Sequence, residues 1–187
     1  MESEIKTLAK GYELTQESFD DFVARLKHDC VGEGVNDHCT ADAIFIVERK
    51  RYVFGLDTDY TDRVCAILED SHWEDPDQFY NDHIEYSIAM KLDEWAQKES
   101  ECDFIDLSES EKWDAIKEIE DVTVTGMDER WEYVNSHFTK DAAEAFIRRK
   151  KHDYREGLRV YVDAQTYCWE WNEIKRALID GRLKLVD

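Results

Sequence analysis

Four soft donors fall within twelve residues: His28 and Cys30 as an H-x-C pair, then His38 and Cys39 side by side, with the glycine-containing loop VGEGVND between them. Thiolates and imidazoles in that number suit a structural zinc ion. The spacing speaks against one, because there is no C-x-x-C knuckle and adjacent His38 and Cys39 are awkward ligands for a single tetrahedral ion. An ordinary loop with a buried cysteine is the plainer expectation. Asp57-x-Asp59-x-x-Asp62 opens like a calcium loop, whose hard carboxylate oxygens suit Ca²⁺. An EF-hand then requires glycine at the sixth position and glutamate at the twelfth. Those positions hold Asp62 and Leu68, so only a looser Mg²⁺ or Ca²⁺ site survives as an alternative. Cys168 with His152 has the composition of a thiolate–imidazole pair, but nothing in the sequence brings the two together. No G-x-G-x-x-G, G-x-x-x-x-G-K-[ST], G-x-S-x-G or H-E-x-x-H occurs. The sequence therefore predicts no catalytic residue, no metal site and no cofactor, with a metal-dependent enzyme as a minor alternative.

Composition narrows the field further. The chain has 187 residues, 42% of them hydrophobic and 23 aromatic, which is enough for a packed core. One proline and seven glycines argue against a long flexible linker. The five cysteines are odd in number and scattered, which fits reduced thiols in a cytoplasm. No apolar run approaches the ~20 residues a membrane helix needs, and the N-terminus lacks the order of charges and apolar residues of a signal peptide. The formal charge is −21, so direct binding to nucleic acid or to an anionic membrane is not expected. From Asp57 to Asp121 there are 22 acidic and 5 basic residues, a net of −17, and the other residues together hold −4. Clustered charge repels itself, so a use for it beyond solubility is expected.

The elements that must position these groups read as follows. Thr15 caps a helix over about residues 15–28, where Phe19, Phe22, Val23 and Leu26 fall at helical spacing. AIFIVERKRYVFG reads as a hairpin, two β-rich runs at 43–48 and 51–55 around an Arg49–Lys50 turn. RVCAILED reads as a third antiparallel strand. EDPDQFYNDHIEYSIAMKLDEWAQKE reads as one helix, capped by Asp75 with Pro76 in its first turn. Tyr80, Ile84, Ile88, Leu92 and Trp95 form its apolar stripe. Ser108–Glu111 is a capping-box pattern for a short acidic helix carrying Trp113, Ile116 and Ile119. VTVTG and RWEYVNSHF read as two strands, Thr139 as the cap of a helix through DAAEAFIRRKKHD, LRVYVDA as a strand, and WEWNEIKRALIDG as a last helix stopped by Gly181. Trp95, Trp113, Trp131, Trp169 and Trp171 occupy apolar positions and are expected in the core. Trp73, in the polar context SHWEDP, is expected to be exposed as an aromatic anchor. The pattern predicts an α+β fold, an antiparallel sheet of four to six strands with helices on one face, in a single domain over 1–187 with an acidic, mainly helical segment at about 70–121.

That acidic segment has the charge of a nucleic acid. Duplex DNA carries one charge per ~1.7 Å of axis, so −17 matches about 29 Å, or eight to nine base pairs. Carboxylates at i, i+3 and i+4 of a helix lie ~5–6 Å apart, close to the spacing of phosphates along a strand. The residues expected to meet a partner are Asp62, Glu69, Asp70, Trp73, Glu74, Asp75, Asp77, Asp82, Glu85, Asp93, Glu94 and Glu99.

Two stretches carry a resemblance, HCTADAIFIVERKRYVFGLDTDYTD and WEYVNSHFTKDAAEAFIRRKKHDYREGLRVYVDAQTYCWEWNEIKRAL. They resemble small uncharacterised proteins of bacteriophages and prophages that share H-C-T-A, a Y-G-x-D-x-D-Y turn, F-T before a helix, then R-x-Y-V and E-W. Here the matches are His38 to Ala41, Gly55 to Tyr60, Phe138–Thr139, Arg159 to Val162 and Glu170–Trp171. Phe54 stands where that pattern has tyrosine, and Lys150 where it has asparagine. The match covers about 75 of the 187 residues and omits most of the acidic middle. It implies a phage setting inside a host bacterial cell and no catalytic residue. By charge and setting the chain is also similar to acidic DNA-mimic inhibitors of host defence, including anti-CRISPR and anti-restriction proteins. The function expected is inhibition of a host nucleic-acid-handling complex, such as a CRISPR effector, through contact with its basic channel. The alternative is an interaction adaptor or homodimer whose contacts are apolar.

Overall fold

The computed structural model describes residues 6–58 and 60–186. The fold is α+β, with one antiparallel five-stranded sheet and seven helices. The strands are β1 (Ala43–Leu56), β2 (Val64–Leu68), β3 (Ser71–Trp73), β4 (Thr123–His137) and β5 (Leu158–Ala164), in the order β3-β2-β4-β1-β5. The helices are α1 (Gln16–Val31), α2 (Val35–His38), α3 (Pro76–Asp82), α4 (Ser87–Ser100), α5 (Glu109–Lys117), α6 (Lys140–Lys150) and α7 (Trp169–Ile179). Among the described residues no helix is long and apolar enough to cross a membrane. The chain forms two compact units, one running from Tyr52 to Arg130 and the other built from the residues up to Arg51 and those from Trp131 on. Below, the contiguous one is the inserted unit and the other the discontinuous unit.

In the discontinuous unit, Phe45 and Val47 of β1 are fully buried with Ala143 of α6. Phe146, Ile147, Leu158, Val160 and Val162 pack around them. The hairpin expected at Arg49–Lys50 does not form, and β1 runs straight through. No residue there favours the left-handed turn a hairpin needs, and the charged residues have partners within the sheet. Arg49 and Arg51 both bind Glu132 of β4, at 2.7 and 3.1 Å. The Lys50 N–H donates to the Gly157 carbonyl (3.1 Å), extending the pairing with β5. The two strands expected at VTVTG and RWEYVNSHF are likewise one, β4.

Helix α6 starts after Thr139, but the threonine hydroxyl does not cap it. The buried carboxylate of Asp29 on α1 accepts from the Lys140 N–H instead, at 2.9 Å. The buried ammonium of Lys175 on α7 donates to the Ala41 carbonyl and to Asp42, at 2.7 and 2.9 Å. Trp169, expected in the core, is 74% exposed.

In the inserted unit, Phe79, Leu92, Ala96, Phe104, Trp113 and Ile116 close over Ala66 of β2. Gly126 of β4 is fixed by close approach, since a Cβ there would lie 2.7 Å from the Leu56 carbonyl oxygen. The helix expected over 75–99 is broken into α3 and α4. The His83 ring Nδ1 lies 2.6 Å from the Phe79 carbonyl, the acceptor that the His83 N–H would use in a continuing α-helix. That N–H turns to the Tyr80 carbonyl, and the chain tightens through Tyr86. Ile84 thereby leaves the apolar stripe and is 58% exposed. Strand β3 was not legible beforehand. It follows β2 through a two-residue turn at Glu69–Asp70, with Glu69 in the left-handed region at φ 52°.

Candidate functional site

All twelve residues expected at a partner surface fall in the inserted unit. Asp75 and Asp77 stand at the start of α3, Asp82 at its end, Asp93, Glu94 and Glu99 on α4, and Glu69 and Asp70 in the β2–β3 turn. They divide by what they touch. Asp75 caps α3, accepting from the Asp77 N–H at 2.8 Å. Asp77 accepts from the buried ammonium of Lys112 (2.7 Å), Asp82 from the Trp73 indole (2.9 Å), and Asp93 from the Tyr80 hydroxyl (2.9 Å). Glu99 pairs with Lys98, and Glu74 with Arg63, which also meets Glu129. These pairings with Glu74 and Glu129 hold the Arg63 guanidinium above its ordinary pKa. Asp62, Glu69, Asp70, Glu85 and Glu94 are exposed and have no ion pair or side-chain hydrogen bond among the described residues.

The charge follows from that division. Residues 52–130 contain 24 acids and 6 bases, a net of −18, which leaves −3 for the rest of the chain. Of the six bases, Arg63, Lys98, Lys112, Lys117 and Arg130 are bound to carboxylates of the same unit. The surplus carboxylates face solvent. Part of them line two neighbouring clefts of about 450 and 380 Å³. The first holds Asp62, Arg63, Glu74, Glu109 and Trp113; the second shares Glu74 and Glu109 and adds Asp75, Asp77 and Lys112. Glu109 was missed in the sequence, where it reads only as a first-turn acid of α5. Glu111 of the same turn reaches back to the Ser108 hydroxyl and N–H, and these bonds hold its carboxyl below the usual range.

Trp73 differs from expectation. It pairs across from Ala66, and directly opposed residues share a sheet face, so its ring turns to the helix side. It is half-buried there, edge-on to Phe79 at 5.2 Å and to His83 at 5.0 Å.

The other sequence candidates do not converge. Among the described residues no group of three or more His, Cys, Asp or Glu is placed to hold an ion. His28 faces Asp29 at 3.0 Å, Cys30 is buried, Cys39 is exposed, and the His38 ring stands edge-on to Phe45. Asp57 starts a turn closed by the Tyr60 N–H on its carbonyl (3.0 Å), and Asp59 lies outside the described residues. His152 lies 3.0 Å from Asp153, and Cys168 is an exposed thiol at the start of α7.

No protein family, curated protein or solved structure matches this chain. What it can do rests on its own geometry: a folded surface with surplus carboxylates and with most of its cations already engaged.

Proposed function

We propose that the protein binds a basic nucleic-acid-binding channel of another protein complex and blocks it, without catalysing a reaction. One observation carries this reading. The exposed Asp62, Glu69, Asp70, Glu85 and Glu94 form no ion pair among the described residues, in a unit whose net charge is −18. A basic channel supplies lysine and arginine at the density such a surface lacks. Glu94 stands on α4, Glu69 and Asp70 in the β2–β3 turn, Glu85 in the short turn between α3 and α4, and Asp62 just before β2, so fewer degrees of freedom are lost on docking than for a disordered acidic tail. The resemblance to phage proteins makes a CRISPR effector in the host cell the target of first choice.

The test is competition between the protein and duplex DNA for a purified effector, read by fluorescence anisotropy across a salt series. Displacement of DNA should weaken steeply as salt rises. Changing Asp62 and Asp70 to Asn, and Glu69, Glu85 and Glu94 to Gln, should lower the affinity at least about tenfold with the circular dichroism spectrum retained. Undiminished displacement by that variant sinks the acidic-surface reading. Loss of displacement on Trp169→Ala, with little response to salt, favours instead an apolar contact through α7, where Trp169 and Ile174 are exposed.

A further inference from the structure

The strand order leaves two strands with a single neighbour, β3 and β5. β3 has three residues, too short to recruit another strand. β5 has seven, LRVYVDA, with no proline and no lysine to guard it. It pairs antiparallel with β1, with Glu48 opposite Arg159, Ile46 opposite Tyr161 and Ile44 opposite Asp163. The Lys50 N–H donates to the Gly157 carbonyl and the Gln165 N–H to the Asp42 carbonyl, which fixes both ends of the ladder. Hydrogen-bonded pairs alternate along an antiparallel ladder. Counting in twos from those ends, residues 159, 161 and 163 turn their backbone groups to β1. Leu158, Val160, Val162 and Ala164 turn theirs outward, and these have no partner among the described residues.

We infer that this edge is a contact between two copies of the chain, β5 pairing antiparallel with β5 about a two-fold axis at Tyr161. This register sets Val160 opposite Val162 and Leu158 opposite Ala164 of the second copy, so every outward backbone group meets another. It also sets Arg159 opposite Asp163 of the second copy, twice, by symmetry. A shift by one residue places outward groups against inward ones. A shift of two residues in the pairing leaves Arg159 facing Tyr161 or Gln165, and both opposite-charge pairs are lost. A second copy is therefore an occupant whose charges the edge itself matches. The contact also uses the part of the chain that carries −3 and none of the residues that carry −18, so the strands that meet add little repulsion of their own. Arg159 is held over the Trp131 ring at 4.1 Å and against Glu48 at 2.8 Å, and Tyr161 is exposed beside it.

Sedimentation of the full chain from micromolar to near-millimolar concentration tests this. The wild type should pass from 22.2 kDa to twice that mass. Asp163→Arg and Arg159→Asp each put like charges opposite each other, and each should weaken self-association at least about tenfold. An equimolar mixture of the two variants should recover the dimer, because the two arginines on the strand of one copy then face the two aspartates on the strand of the other. That recovery separates a charge effect at the edge from a failure to fold. A wild type that stays monomeric overturns the inference and leaves the edge to a strand from another protein. A dimer formed equally well by both single variants, or a mixture that recovers nothing, also overturns it.

Discussion

The two units use the same charged residue types for opposite purposes. Among the described residues, the discontinuous unit holds the buried Ser18, Asp29, Thr139, Asn172 and Lys175, and the inserted unit holds only Lys112 as a buried polar side chain. Where net charge is small, charged groups go inside and become structure, Asp29 capping a helix from another part of the chain and Lys175 clamping the Ala41 carbonyl. Where net charge is large, the core is closed by Phe79, Phe104 and Trp113, and the carboxylates stay outside. A buried charge must be matched by partners, so it fixes a local geometry. An exposed unmatched charge fixes none and stays available to something else.

That contrast can be broken at several points. Phe104→Ala empties a fully buried aromatic site and should cost about 3–5 kcal/mol. Hydrogen exchange should show the loss in residues 52–130 first; equal loss throughout the chain would mean the two units unfold as one. Lys175→Met keeps the stem but strips the clamp from Asp42 and the Ala41 carbonyl. The expected cost is about 2–3 kcal/mol, below that of a fully buried pair because Asp42 is partly exposed. Its loss of protection should begin in the discontinuous unit. The smallest effect concerns salt. Screening should stabilise residues 52–130 by about 1 kcal/mol between low and moderate ionic strength and leave the remaining residues nearly unchanged. A uniform salt response would remove the electrostatic distinction between the units.

The fold class was legible because hydrophobic periodicity survives in most elements. The caps at Thr15, Asp75 and Ser108 and the stop at Gly181 sit where side-chain chemistry places them. What escaped the sequence depended on partners distant along the chain. Arg49 and Arg51 look like turn residues until Glu132, more than eighty positions away, takes both. The break after α3 comes from one ring nitrogen competing for a backbone carbonyl, which leaves no trace in periodicity. Strand β3 is three polar and aromatic residues behind a turn whose left-handed position holds glutamate instead of glycine. The acidic surface was visible as a charge count, but which acids are engaged was not. Asp77 and Glu94 read alike in the sequence, and only folding sets Lys112 against the first.

The division at Arg51 and Trp131 also bears on the order in which the chain acquires structure. The discontinuous unit needs both its halves, and joining them across 79 residues costs about 4 kcal/mol of loop-closure entropy when those residues are unfolded. The inserted unit is contiguous, and its last residue is made before any of residues 131–187. β1 and β4 are neighbours in the sheet, so once residues 52–130 have folded, the two ends that must meet are already side by side. On the ribosome the acidic surface would thus be able to form before α6, β5 and α7 fold, and its formation would shorten the search that brings them home.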